Sequence, residues 1–211
     1  MILAGNTERR QLWGIVDRDM YHLRQWPADA FSLILDVGAN MGAFSLACRI
    51  LFPRARIVAF EPHPETHRLA AQNLRNLRVD LRQMALWHPP RAWLRKGRNS
   101  TGNSFGPEKS TISAPAGRLD KLFRLADAKG EDQILLKIDA EGAEACLIGH
   151  RATRGCLRQC KAIEIELHKG KLLPRLSPAI GYLACTLSGF EIQVKRSRRF
   201  AAFSGRKSAS T

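Results

Sequence analysis

Apolar residues recur along the chain in short runs, separated by stretches of helical spacing. FSLILDV, from Phe31 to Val37, is a nearly unbroken apolar run and predicts a strand covered on both faces. Helical periodicity follows from Ala43 to Leu51, and Pro53 stops it. RIVAF, from Arg56 to Phe60, predicts a second strand, and Pro64 opens a helix running to about Leu74. A third strand is expected over Val79 to Leu86. The rhythm then breaks. Between Trp87 and Gly117 lie prolines 89, 90, 107 and 115 and the polar run GRNSTGNSFG, which predict a loop carrying at most a short strand, Ala92 to Arg95.

Regularity returns with a helix over Arg118 to Ala128, a fourth strand from Gln133 to Ile138 and a helix from about Ala143. Ala162 to Leu167 predicts a fifth strand, and Ser177 to Ser188 a helix that Gly189 ends. FEIQVKRSRRFAAFSG reads as two strands joined by a basic turn, a hairpin. Residues 1–30 are expected as an N-terminal helical segment and 31–211 as the single main domain. Strands alternating with helices imply an α/β fold, a doubly wound and mostly parallel sheet to which the C-terminal hairpin adds an antiparallel strand. In such sheets ligands bind beyond the carboxyl ends of the strands, so the residues just after each strand are the ones to inspect.

Composition changes this picture little. The 211 residues are 45% hydrophobic and 25% charged, which is ordinary globular usage. The charge is not ordinary: 34 Lys and Arg against 19 Asp and Glu give +15, so acidic partners are favoured, or the basic surface serves solubility alone. Five cysteines form no regular framework, and Cys156 with Cys160 lacks the second pair of a zinc site; free thiols in a reducing compartment are expected. MILAGNTERRQLWG lacks the apolar centre of a signal peptide, and no run of about 18 apolar residues occurs. A cytoplasmic protein without a membrane span is expected.

The chemistry gathers after the strands. Asp36-Val-Gly38-Ala-Asn40-Met-Gly42 follows the first one. A dinucleotide fingerprint would need glycine where Asn40 and Ala43 stand, and no Gly-Lys-Ser/Thr phosphate loop occurs. S-adenosylmethionine makes another demand, because its amino-acid end carries an ammonium and a carboxylate. Asp36 suits the ammonium, directly or through water, while backbone N–H groups of the turn and the helix start suit the carboxylate. Gly38 and Gly42 keep the backbone uncrowded, and Asn40 tolerates positive φ. Glu61 ends the second strand, 25 residues beyond Asp36, near the offset at which an acid meets ribose hydroxyls.

Lys137-Ile-Asp139-Ala-Glu141-Gly-Ala-Glu144 follows the fourth strand. Asp139 and Glu141 are candidates to flank the reacting methyl group, taking a proton from a hydroxyl or orienting it, whereas Glu144 suits the start of the next helix. The fifth strand ends in Glu166-Leu-His168, and His168 is a candidate base because histidine is the side chain whose ordinary range lies near neutrality. Glu164 lies deeper, where a basic partner is expected. These acids and His168 can in principle gather a divalent ion, but no spacing demands one and no metal is assigned.

LDVGANMGAFSL, AFEPHPETHRLAAQNL, RLDKL, LLKIDAEGAE and IEIELH, in that order from Leu35 to His168, resemble the FkbM family of S-adenosylmethionine-dependent methyltransferases. The resemblance implies a class I methyltransferase fold and methylation of a hydroxyl on a small molecule, natural product or glycan. It implies cofactor contacts from Asp36, Gly38, Asn40, Gly42 and Glu61, with Met84 and Ala85 near the adenine, and a reaction site lined by Asp139 and Glu141. The loop after the third strand, WHPPRAW, departs from the polar or acidic turn of many members. GNSFG, with Asn103 and Ser104, is a weak match to a lid over the pocket.

Two rival classes remain at this stage. Basic residues crowd Arg91 to Arg98 and Lys195 to Arg199, and Trp87, Trp93 and Phe200 can stack bases, so an RNA methyltransferase of the same fold is the first. KIDAEGAE stands where an amino-group methylating enzyme would carry an Asn/Asp-Pro-Pro-aromatic motif. A binding protein that kept the fold and lost catalysis is the second.

Overall fold

The computed structural model describes residues 14–15, 18–87, 91–95, 104–106, 113–140, 143, 151–168, 190–196 and 200–207. Seven strands form the main sheet: β1 (Leu33–Val37), β2 (Arg56–Phe60), β3 (Val79–Arg82), β8 (Ile134–Ile138), β9 (Cys160–His168), β10 (Phe190–Arg196) and β11 (Phe200–Lys207). Their order is β10-β11-β9-β8-β1-β2-β3. β1 is parallel to both β2 and β8, and β8 is parallel to β9. The chain thus winds outward from β1 through β2 to β3, then returns to β1's other side at β8. That reversal opens a crevice at the carboxyl ends of β1 and β8.

All five residues of β1 and all five of β8 are buried, as parallel strands covered on both faces require. Leu33, Leu35, Val58, Leu136 and Ile163 share one core with helix α3 (Leu119–Leu125) and helix α4 (Arg151–Gln159). Ile34, Ile57, Leu135 and Ala162 face the other way, against Phe44, Ala47 and Cys48 of helix α1 (Ala43–Leu51) and against Tyr21, Leu23 and Phe31 of the N-terminal segment. Helix α2 (Pro64–Asn73) starts where expected: the Thr66 N–H donates to His63 Nδ1, and Pro64 occupies the first turn.

Two expectations need correction here. The strand expected over Val79 to Leu86 is two: β3 ends at Arg82, and β4 (Ala85–Leu86) joins a different sheet. The stretch read as a loop with a short strand at Ala92 to Arg95 holds that strand, as β5 (Arg91–Arg95), and two more that were not expected, β6 (Ser104–Gly106) and β7 (Ser113–Gly117), in the order β4-β7-β5-β6. Ala92, Ala114 and Ala116 are fully buried, so the packing is made by side chains too small to register as a strand signal. Pro115 stands beyond the two residues of β7 that β4 pairs, which is how a proline fits there. Ser104 begins the edge strand β6, while Asn103 lies outside the described residues.

The C-terminal hairpin forms as expected, with β11 antiparallel to both β9 and β10. Within residues 18–30 the helical expectation reduces to one 3-10 turn, Leu23–Gln25. The helix expected over Ser177 to Ser188 and the start of the one after Ala143 lie outside the described residues.

Candidate active site

The turn after β1 is built from left-handed backbone. Gly38, Asn40 and Gly42 have φ of 82°, 51° and 88°. At Gly38 the reason is close approach: a Cβ there would lie 1.9 Å from the Asp139 carbonyl oxygen. The first strand's turn is therefore pressed directly against the end of β8, and the Asp139 N–H closes the contact by donating to the Val37 carbonyl at 3.0 Å. Only glycine fits this position.

The turn's own amides are largely committed. The N–H groups of Gly38 and Ala39 both donate to the Phe60 carbonyl, and that of Gly42 donates to Ala39. The Asn40 N–H donates to Glu61 Oε2 at 2.8 Å, and the His63 N–H donates to Glu61 Oε1 at 2.9 Å. The sequence offers both the turn and the helix start as donors for an incoming carboxylate; with these turn amides bonded internally, the leading N–H groups of α1, which have no intrahelical partner, are the ones still open to such a role.

Glu61 is almost fully buried, and burial pushes its carboxyl up to about 7, against the downward pull of the His63 and Asn40 amides. A carboxylate offers about four lone-pair sites. With one amide on each oxygen, Glu61 retains capacity for a pair of vicinal hydroxyls. The acid at the tip of β2 and the turn after β1 are thus one hydrogen-bonded unit, although 21 residues separate Asn40 from Glu61.

Asp36 is fully buried, and its surroundings differ from the open strand end that its position suggests. Ser45 Oγ donates to its Oδ2 at 2.7 Å, and Lys137 Nζ lies 3.2 Å from its Oδ1. Lys137 also donates to the Gly38 carbonyl at 2.6 Å and sits 3.9 Å from Asp139 Oδ2. Burial alone would lower the Lys137 ammonium, but Asp36 and Asp139 outweigh it, and the net displacement is upward. The strand register explains the meeting: Lys137 stands opposite Asp36 on one side and Glu164 on the other. Glu164 thus has the basic neighbour expected for it.

Asp139, half-buried just past β8, is a third acid that the structure brings to the turn, beside Asp36 and Glu61. Tyr21 is buried against Phe44, ring centroids 5.1 Å apart and edge-on, and its phenol is pushed well above its ordinary range by burial and then by the Asp139 carboxylate. Met84 packs half-buried against the core and Ala85 opens β4, so both lie just past the observed end of β3 at Arg82. Glu141 lies outside the described residues. His168 ends β9 opposite Phe200, and only its backbone is described.

Lys137, Ser45 and Tyr21 were not singled out from the sequence. Lys137 had a signal: a lone charge inside the apolar run QILLKI, which must find partners if the strand is central. Ser45 and Tyr21 had none, since a serine and a tyrosine in segments expected to be helical look like surface residues.

A sheet ordered this way, with a left-handed turn after the first strand and an acid at the tip of the second, defines a class I methyltransferase fold. The chain matches the methyltransferase FkbM domain across residues 36–177, two thirds of its length, and it belongs to the FkbM family of methyltransferases, whose methyl donor is S-adenosylmethionine. Methyltransferase sdnD of Sordaria araneosa is 41% identical over 54 residues, 26% of this chain and 20% of that protein. Among solved structures, methyltransferase FkbM from Methylobacillus flagellatus KT is similar with a TM-score of 0.58 at 13% identity, covering 83% of this chain and 44% of that one. Aeropyrum pernix fibrillarin, solved with natively bound S-adenosyl-L-methionine, gives 0.53 at 13% identity, over 90% of this chain and 73% of that one. The chain therefore spans a fifth of the length of sdnD and under half of the Methylobacillus protein. At such identities the likeness of the structures is one of fold.

Proposed function

We propose that this chain is an S-adenosylmethionine-dependent O-methyltransferase acting on a hydroxyl of a small molecule, natural product or glycan. The observation that carries the reading is Glu61: a buried carboxylate gripped on both oxygens by backbone amides, one of them from the glycine turn, with lone pairs left for a diol. Glu61 holds the ribose, Met84 and Ala85 border the adenine, and Gly38, Asn40 and Gly42 shape the turn around the amino-acid end. Asp36 acts on that end through Ser45 and Lys137. When bound, the cofactor supplies an electrophilic methyl group on a sulfonium.

The chain's own work is alignment and proton handling. Asp139 accepts a hydrogen bond from the acceptor hydroxyl and orients its oxygen, with Glu141 and His168 as further groups able to take the proton. Asp139→Asn is expected to depress turnover at least tenfold with cofactor affinity nearly unchanged, and Glu61→Ala to do the reverse. Calorimetric titration with the cofactor and single-turnover assays separate the two. Equal affinity of wild type and Glu61→Ala removes the ribose assignment.

RNA as acceptor is the second reading, and exposed Arg151, Arg154 and Arg158 on α4 favour it, three cations on a helix with no acid. Incubating the protein with labelled cofactor and fractionated cell extract shows whether label enters a small molecule, a glycan or RNA. A binding protein without catalysis would take up the cofactor and label nothing. Buried free thiols at Cys48, Cys156 and Cys160 support a reducing compartment, and with it the cytoplasmic site of action proposed here; among the described residues no helix is long and apolar enough to cross a membrane.

A further inference from the structure

The geometry points to Lys137 as a positioning residue: one buried ammonium that sets the cofactor turn and the acceptor-side acid in a common frame. It rests on the reading of the site given above. Three observations meet on this side chain. Its Nζ donates to the Gly38 carbonyl at 2.6 Å, so it holds the turn itself. It lies 3.2 Å from Asp36 Oδ1 and 3.9 Å from Asp139 Oδ2, so it joins the acid behind the turn to the acid in front of it. Its charge also stands 5.9 Å from the centre of the Phe44 ring, whose helix begins at that turn.

Stability does not account for this arrangement. Desolvating an ammonium and a carboxylate is costly for each ion, and a well-packed apolar pair of similar volume often does as well or better. All other residues of β8 are Ile or Leu, so an apolar side chain suits position 137 if the strand alone matters. What an apolar side chain cannot supply is direction. A primary ammonium has three donors, and here three oxygens from three segments surround it: the tip of β1, the turn and the tip of β8. Gly38 can approach no closer to Asp139 than its missing Cβ already allows, so the gap between turn and β8 is set by contact on one side and by Lys137 on the other. With that tie removed, the turn and Asp139 are each free to drift by fractions of an ångström, and the site loses the alignment that methyl transfer depends on.

Lys161 provides a control of matched chemistry. Its Nζ donates to the Ala30 carbonyl at 3.1 Å and lies 5.9 Å from the Trp26 and Phe31 ring centres, so it too is a lysine tied to backbone and aromatic rings, but away from the turn. The test titrates S-adenosylmethionine and S-adenosylhomocysteine into wild type, Lys137→Met and Lys161→Met, with melting curves and amide NMR spectra of the unliganded proteins alongside. Lys137→Met is expected to lose at least tenfold in affinity for both ligands and to move the Gly38, Ala39 and Asn40 amide resonances. Lys161→Met is expected to melt lower while binding within twofold of wild type.

If wild type binds and folded Lys137→Met binds within threefold of it, with those amides unmoved, the inference fails and the function stands. If wild type ignores both ligands at millimolar concentration, the proposed function fails, and the amide shifts still report whether Lys137 holds the turn. If Lys137→Met does not fold, Lys137→Arg replaces it, a charge-conserving change that cannot reproduce a point ammonium. Weakened binding in folded Lys137→Arg supports the positioning role. Unweakened binding, or failure of both variants to fold, overturns it in favour of a purely structural lysine.

Discussion

Gly38 and Glu61 carry the sharpest consequences of single residues. Gly38→Ala must relieve both a φ of 82° and a 1.9 Å approach to the Asp139 carbonyl, so the turn or β8 has to move. Such strain costs on the order of 1–3 kcal/mol, and the movement falls on the site, so cofactor affinity is expected to collapse even in protein that still melts cooperatively. Calorimetry with a parallel melting curve measures both. Glu61 gives a pH dependence whose sign follows from its carboxyl being raised to about 7. Hydroxyl donors favour the ionised carboxylate, so cofactor binding should weaken as pH falls from 8 to 6, and Glu61→Gln should flatten the profile. Without ligand the sign is opposite for stability. A carboxyl raised on folding contributes stability that is full below the unfolded-state range near 4.5 and is lost as pH rises through 7. Melting temperature against pH, with and without cofactor, distinguishes the two trends. The acids of this site were legible in the sequence because strand ends are where parallel sheets place chemistry. Their partners were not: the Asn40–Glu61 and Lys137–Gly38 hydrogen bonds span 21 and 99 residues, and no local pattern encodes them.

At the scale of elements, the apolar strands β1 and β8 were legible to within one or two residues. β2 and α1 have the bounds the pattern predicts, because their neighbours Pro53, Gly42 and Pro64 terminate structure by covalent geometry. The second sheet was hidden because its packing rests on alanines and its strands are as short as two residues. Arg49 shows how elements are joined at the sheet's opposite end. Its guanidinium donates to the Leu77, Pro53, Ala55 and Arg78 carbonyls at 2.9, 2.8, 2.9 and 3.0 Å, tying the end of α1 to the entries of β2 and β3. Burial, and then Arg78, lowers its basicity somewhat, yet the group stays charged. Arg49→Ala strands these carbonyls and is expected to cost about 2–4 kcal/mol. Chemical denaturation measures the loss, and cofactor affinity should remain near wild type at a temperature where the variant is folded. Arg49→Lys recovers only part, because an ammonium cannot span four oxygens in one plane.

On the scale of the whole molecule, two independent fields act on ligands, and salt separates them. The sequence carries a net charge of +15, and among the described residues Arg151, Arg154 and Arg158 are exposed along α4. The site's ionic groups are instead internal: Asp36 and Lys137 are almost wholly removed from solvent, where counterions screen little. Polyanion binding through the surface should therefore fall by about three to five decades between roughly 50 and 200 mM salt if six to ten phosphates are contacted. Cofactor affinity should change less than twofold over the same range. For a hydroxyl-bearing small molecule or glycan acceptor, transfer of labelled methyl should follow the cofactor and persist at the higher salt. For an RNA acceptor, transfer should follow the surface and vanish with the polyanion. Measuring both binding curves and label incorporation across one salt series decides between the acceptors, because the fold keeps the basic surface and the buried acids under separate electrostatic control.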